Sequence, residues 1–141
     1  MALQNIEISL RAHRKDGQNV SAAEFIEPLR GIEAAIEAVS DRGRWQSGLV
    51  VLARLGLSEF STEEEPSEAF YSRLTADLER AASWLQQQSV DVFDAFKKAG
   101  LTVDLFLDLW IDADQMDLSI PSLLVRAGGR LDLSIQMITN D

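Results

Sequence analysis

The stretch from Leu101 to Asp112, LTVDLFLDLWID, sets Leu101, Val103, Leu105, Leu107, Leu109 and Ile111 on one side of an extended chain. Thr102, Asp104, Phe106, Asp108, Trp110 and Asp112 fall on the other side. A period of two marks a sheet strand with one apolar and one mixed face. The odd face requires a cover of helices, and an amphipathic helical region stands immediately before it. The even face carries acids between two large aromatics, which a purely structural surface would not need.

The flanking segments supply both layers. Asn5 to Arg14 alternates, with Ile6, Ile8, Leu10 and Ala12 against Glu7, Ser9, Arg11 and His13, and reads as the first strand. Lys15-Asp16-Gly17-Gln18-Asn19 is a turn, and Ser21-Ala22-Ala23-Glu24 matches a capping box. The helix it opens places Phe25, Leu29, Ile32, Ile36 and Val39 on one stripe, with Pro28 expected to kink or restart it. Beyond Ser40-Asp41-Arg42-Gly43, Trp45 through Leu57 alternates as Leu49, Val51, Ala53, Leu55 and Leu57, a second strand. Val50 and Leu52 on its other side leave a buried helical turn open, and Gly48 and Gly56 mark strand ends or a bulge.

Glu63-Glu64-Glu65-Pro66 reads as a charged loop. From Ser67 to Gln88 the positions Phe70, Leu74, Leu78, Ala81 or Ala82, and Leu85 predict a long helix. Ser89 caps a shorter one through Lys98 that buries Val92, Phe93 and Phe96 and closes on Lys97, Lys98 and Gly100. After Asp112 comes an acidic loop, then a short helix from Ser119 to Ala127 stopped by Gly128-Gly129. Arg130 to Ile138 is the last strand, its Leu131, Leu133, Ile135 and Met137 matching the odd face of the Leu101–Asp112 strand.

The order β-α-β-α-α-β-α-β predicts an α+β fold, a two-layer sandwich with a four-stranded antiparallel or mixed sheet, helices on one face and the other face open. The 141 residues fit a single domain, undivided by repeats or linkers. Periodicity does not tell which strand neighbours which.

Composition narrows the function classes. With 23 acids against 13 Lys and Arg the net charge is −10. Such a chain repels nucleic acid and anionic membranes and associates faster with a basic partner, although the same acidity also serves solubility alone. At 46% hydrophobic and 26% charged it is too apolar for disorder and too interrupted by charge for a membrane span. Gln4, Asn5 and Glu7 stand where a signal peptide needs an apolar run, so the expected location is cytoplasmic. The absence of cysteine excludes disulfides, thiol catalysis and thiolate metal sites.

Few residues point to chemistry. His13 is the one histidine, set on the polar face of a strand as a surface side chain with no visible partner for acid–base work. Asp112, Asp114 and Asp117 offer hard oxygens to calcium or magnesium, but Met116 and Asp117 stand where a calcium loop needs an oxygen ligand and a glycine. A solvated loop capping the next helix explains these acids, and no metal or cofactor is assigned. Gly128-Gly129 ends a helix, whereas a phosphate loop begins one. Glu59, Glu63, Glu64, Glu65 and Glu68 read as a solvated loop or as a steering patch for a basic partner. Arg11, His13, Arg14 and Lys15 form a basic cluster too small to argue for nucleic acid. Phe106 and Trp110, separated by Asp108, are suited to anchor an interface unless a helix or a second subunit covers them or they flank Asp108 inside a second small core.

The C-terminal half, from the long helix through FLDLWIDADQMDLSIPSLLVRAGGRLDLSIQM, resembles an uncharacterised bacterial α+β domain family of unknown function, immunity-protein type. The resemblance implies a small bacterial domain of the kind that accompanies toxins as an immunity partner, and it carries over no catalytic residue.

Acidity, the aromatic–acid strand and the want of a catalytic constellation together predict a non-enzymatic protein-binding domain, and the resemblance implies as its specific form an immunity-type inhibitor of a basic toxin. Phe106 and Trp110 are the expected anchors, with Asp104, Asp108 and Asp112 as charge partners. The alternatives are a small-ligand or divalent-metal-binding protein using the Asp112–Asp117 loop, and a structural homodimer whose open sheet faces pair.

Overall fold

The computed structural model describes residues 2–14, 28–29, 48–62, 68–110 and 118–140. Among them run β1 (Ala2–His13), β2 (Leu49–Thr62), α1 (Glu68–Gln86), α2 (Val90–Lys98), β3 (Thr102–Trp110), α3 (Ser122–Arg130) and β4 (Ser134–Asn140). The strands form one sheet in the order β2-β1-β3-β4. β1 is antiparallel to both neighbours and β3 is parallel to β4, so the sheet is mixed and the fold is α+β. Of the helix expected over Ser21–Val39 only Pro28 and Leu29 lie among the described residues, and Leu29 is buried in the core.

The alternation read from the sequence sets the layers. Ile6, Ile8, Leu10 and Ala12 of β1 stand opposite Leu109, Leu107, Leu105 and Val103 of β3 and, Val103 apart, are fully buried. That shared face takes the helices. A Cβ on Gly56 would meet Asp77 of α1 and Ile8, and one on Gly128 of α3 would meet Ile135, which lies opposite Leu105. Phe70, Leu74, Leu78, Ala81 and Leu85 of α1 and Phe93 and Phe96 of α2 complete the core.

β2 departs from strict alternation for a mechanical reason. Its register against β1 shifts between Ile8 and Ser9 and again between Leu10 and Arg11, leaving Leu55 and Leu52 with no residue opposite. Each shift is a bulge that sets two consecutive residues of β2 against one of β1. Leu52 with Ala53, and Leu55 with Gly56, are therefore buried as neighbours. Of the two residues that left a helical turn open in the sequence, Leu52 is a bulged one, whereas Val50 pairs regularly with Ala12. β2 also runs on to Thr62, which places Glu59 in the strand opposite Asn5 and Glu68 in the first turn of α1. Glu59 thus leaves the acidic loop expected there, Glu68 stands in the first helical turn in keeping with the helix expected from Ser67, and residues 63–67 lie outside the described set.

Two helices end in the same device. After α2, Gly100 takes φ 83, its amide donates to the Lys97 carbonyl, and the Leu101 amide reaches back to Phe96. After α3, Asp132 takes φ 52, its amide donates to the Gly129 carbonyl, and the Leu133 amide reaches back to Gly128. This pairing of bonds, with a left-handed residue between helix and strand, satisfies the last helical carbonyls and turns the chain into a parallel strand. It corrects the expectation that Gly128-Gly129 stops the third helix. Both glycines are helical, the stop lies at Asp132, and the helix begins at Ser122 after Pro121 rather than at Ser119. Arg130 to Leu133 thus belong to the helix end and turn, and the last strand starts at Ser134.

Candidate functional site

The face of the sheet opposite the helices carries the residues singled out in β3. Asp104, Phe106, Asp108 and Trp110 stand opposite Arg11, Ser9, Glu7 and Asn5 of β1. At one end of this face the polar groups close on each other. Arg11 donates from Nε to Oδ1 of Asp104 at 2.9 Å and from Nη2 to Oδ2 at 3.0 Å. His13 Nε2 lies 3.1 Å from the same Oδ2. The fork-to-fork geometry is the strong form of a charge-assisted pair. Asp104 is consequently only 4% exposed, and Ser9 beside it is buried.

The Arg11 guanidinium also lies 3.6 Å from the centroid of the Phe106 ring. One cation thereby neutralises the acid and covers the aromatic, a cation–π stack on a half-buried ring. His13 has an acid partner after all, Asp104, and its side chain stays 41% exposed. The basic cluster near the N-terminus is in this part an internal brace. Asp104, one of the expected charge partners, is bonded within the chain to Arg11 and His13.

At the other end the face is open. Trp110 is 46% exposed, and on the adjacent strand Ile138, opposite Asp108, is 44% exposed. Trp110 and Ile138 are diagonal neighbours on one face, within reach of a large side chain. Asp108 sits half-buried between them, across from Glu7, whose own charge is met by Arg54 at 3.3 Å. Asp112, together with Asp114 and Asp117, lies outside the described residues. The face thus brings Phe106, Asp108 and Trp110 onto one surface, with Phe106 partly covered by Arg11.

Neither Ile138 nor the Arg11–Asp104–His13 brace was identified from the sequence. Arg11 and Asp104 are 93 residues apart, and only the β1–β3 register makes them neighbours.

A second recess of about 230 Å³ lies where the two helix ends meet, lined by Phe93, Leu101, Val103, Leu131 and Leu133 with Thr102 and Ser134. Lys97 Nζ donates to Asp132 Oδ2 at its rim. This hydrogen bond, and then the lysine charge, holds the Asp132 carboxyl below the usual carboxylate range. Among the described residues no group of three or more His, Asp or Glu is placed to hold a metal ion, and no helix is long and apolar enough to cross a membrane.

No family model, no curated protein and no solved structure matches the chain.

Proposed function

We propose that the chain is a non-enzymatic, cytoplasmic protein-binding domain that docks a basic protein on the open end of its sheet, with Trp110 as the central anchor. The observation that carries this reading is the exposure of Trp110 beside Ile138, next to Asp108, on the open sheet face. A large aromatic left in water on a strand supplies much contact area at small entropic cost when a partner covers it. The net charge of −10 favours encounter with a basic surface. An immunity-type inhibitor of a basic toxin is the specific form that fits both the charge and the family resemblance.

The cluster at the other end of the face supports a binding role over a catalytic one. Asp104 and Arg11 satisfy each other and hold Phe106 under the guanidinium, which makes that end a rigid support. The test is recovery of partners on the purified chain from its host, at low and at high salt, with Trp110→Ala as control. One basic protein, retained at low salt, released at high salt and lost with Trp110→Ala at unchanged thermal stability, is the expected result. Recovery unaffected by Trp110→Ala, or a large fall in the melting temperature of the free variant, overturns the reading.

A further inference from the structure

The two edges of the sheet are built differently. β2 carries Arg54 and Glu59 and two register shifts that bend and twist it, features that keep foreign strands from pairing with an edge. β4, SIQMITN, has none of these features. It holds no charged residue, alone among the four described strands. Its register against β3 is unbroken, and its outer edge pairs with no described strand. Met137 is 47% and Ile135 37% exposed on the helix side, while Ile138 is exposed on the other.

We infer that β4 is a self-association edge, on which a second copy of this chain pairs antiparallel to give one continuous eight-stranded sheet. The occupant follows from charge. A basic partner selects acids, and this strand offers none, whereas two copies, each of net charge −10, meet here without a like-charged pair. Two-fold pairing centred on Met137 sets Met137 against its own copy, Ile135 against Thr139 and Gln136 against Ile138. Each exposed apolar residue then gains a cross-strand neighbour, and the unpaired backbone groups of both edges are satisfied together. The two-fold axis stands perpendicular to the sheet, so both Trp110 faces point the same way. The inference is independent of the partner proposed for Trp110, since a monomer could still bind through that residue.

The test is sedimentation velocity of the purified chain from nanomolar to about 100 μM, a range that spans weak and tight association. A dimer is expected, and Met137→Lys, which sets one lysine against the other across the axis, weakens it at least tenfold while leaving the circular dichroism unchanged. Mixing Met137→Lys with Met137→Glu restores association, which neither variant shows alone. A wild-type monomer throughout the range, or a dimer indifferent to Met137→Lys, overturns the inference. Concentration-dependent protection of β4 amides in the wild-type chain gives a second readout that needs no variant. Equal exchange at low and high concentration overturns the inference as well.

Discussion

Arg130 donates from Nη2 to the backbone carbonyl of Leu85 at 2.8 Å, so the last residue of α3 closes the open end of α1. The same nitrogen reaches the carbonyls of Gln86 at 3.2 Å and Gln88 at 2.8 Å. α1 has no basic residue in its own last turn, and the guanidinium supplies the positive charge that end of a helix favours. Arg130→Met is expected to lower stability by about 1–3 kcal/mol, the range for losing hydrogen bonds from a charged donor. Urea unfolding measures it, and Arg130→Lys should recover only part, because an ammonium lacks the planar fork.

Two glycines should respond to alanine with opposite signs. A Cβ on Gly56 would lie 3.3 Å from the Asp77 Cβ of α1 and 3.4 Å from Ile8 Cδ1 of β1. Gly56→Ala should cost about 1–3 kcal/mol as the layers are forced apart. At Gly129 nothing lies within 4 Å and the backbone is helical. Gly129→Ala should therefore stabilise by about 0.5–1 kcal/mol through helix propensity and a less flexible unfolded chain. Thermal or urea midpoints of the pair decide it.

Asp104 is expected to depend more on Arg11 than on His13. Arg11→Met strands a buried carboxylate with the imidazole alone, at an expected loss of about 3 kcal/mol. His13→Ala leaves both carboxylate oxygens bonded to the guanidinium and should cost much less. The double variant Arg11→Met with Asp104→Leu should regain most of the loss, because no unpaired charge is left behind. A double-mutant cycle in urea reads the coupling directly.

Asp132 predicts a pH signature. Its folded carboxyl titrates below the ordinary aspartate value of about 3.9, so the native chain binds fewer protons there than the unfolded one. Its contribution to stability is complete above that ordinary value and is lost as the pH falls through it toward the lower folded one. Carboxyl carbon NMR should show the low midpoint in the wild type and a return toward the ordinary value in Lys97→Met. Asp132→Asn should abolish the step while tolerating φ 52, since a short polar side chain is at home in the left-handed region.

The parts of this fold that local rules govern were legible in the sequence. The alternation of β3 announced its two faces, and Ser89 stands as the cap of α2, its side chain accepting from the Asp91 amide at 3.2 Å. Gly100 likewise ends that helix. Features that depend on pairing were not legible. The bulges of β2 appear only once Ile8 and Leu10 are set against it, and the strand order rests on registers that periodicity leaves open. Asp132 hid as a helix terminator because glycine is the usual residue there, and two glycines stood just before it. The face around Trp110 followed the same division. Its aromatics were visible within one strand, whereas the Arg11 and His13 that bond Asp104 come from β1 and Ile138 comes from β4.

The place of β1 between β2 and β3 has a consequence for how the chain acquires its shape as it is made. Its neighbour β3 ends at Trp110, and the Arg11–Asp104 pair spans 93 residues. At roughly 5–20 residues per second a ribosome needs roughly 5–20 s to add such a length. During that interval β1 has, among the described elements, at most β2, complete at Thr62, and α1, complete at Gln86, to pack against, and the pairing that completes the centre of the sheet is set by the pace of translation.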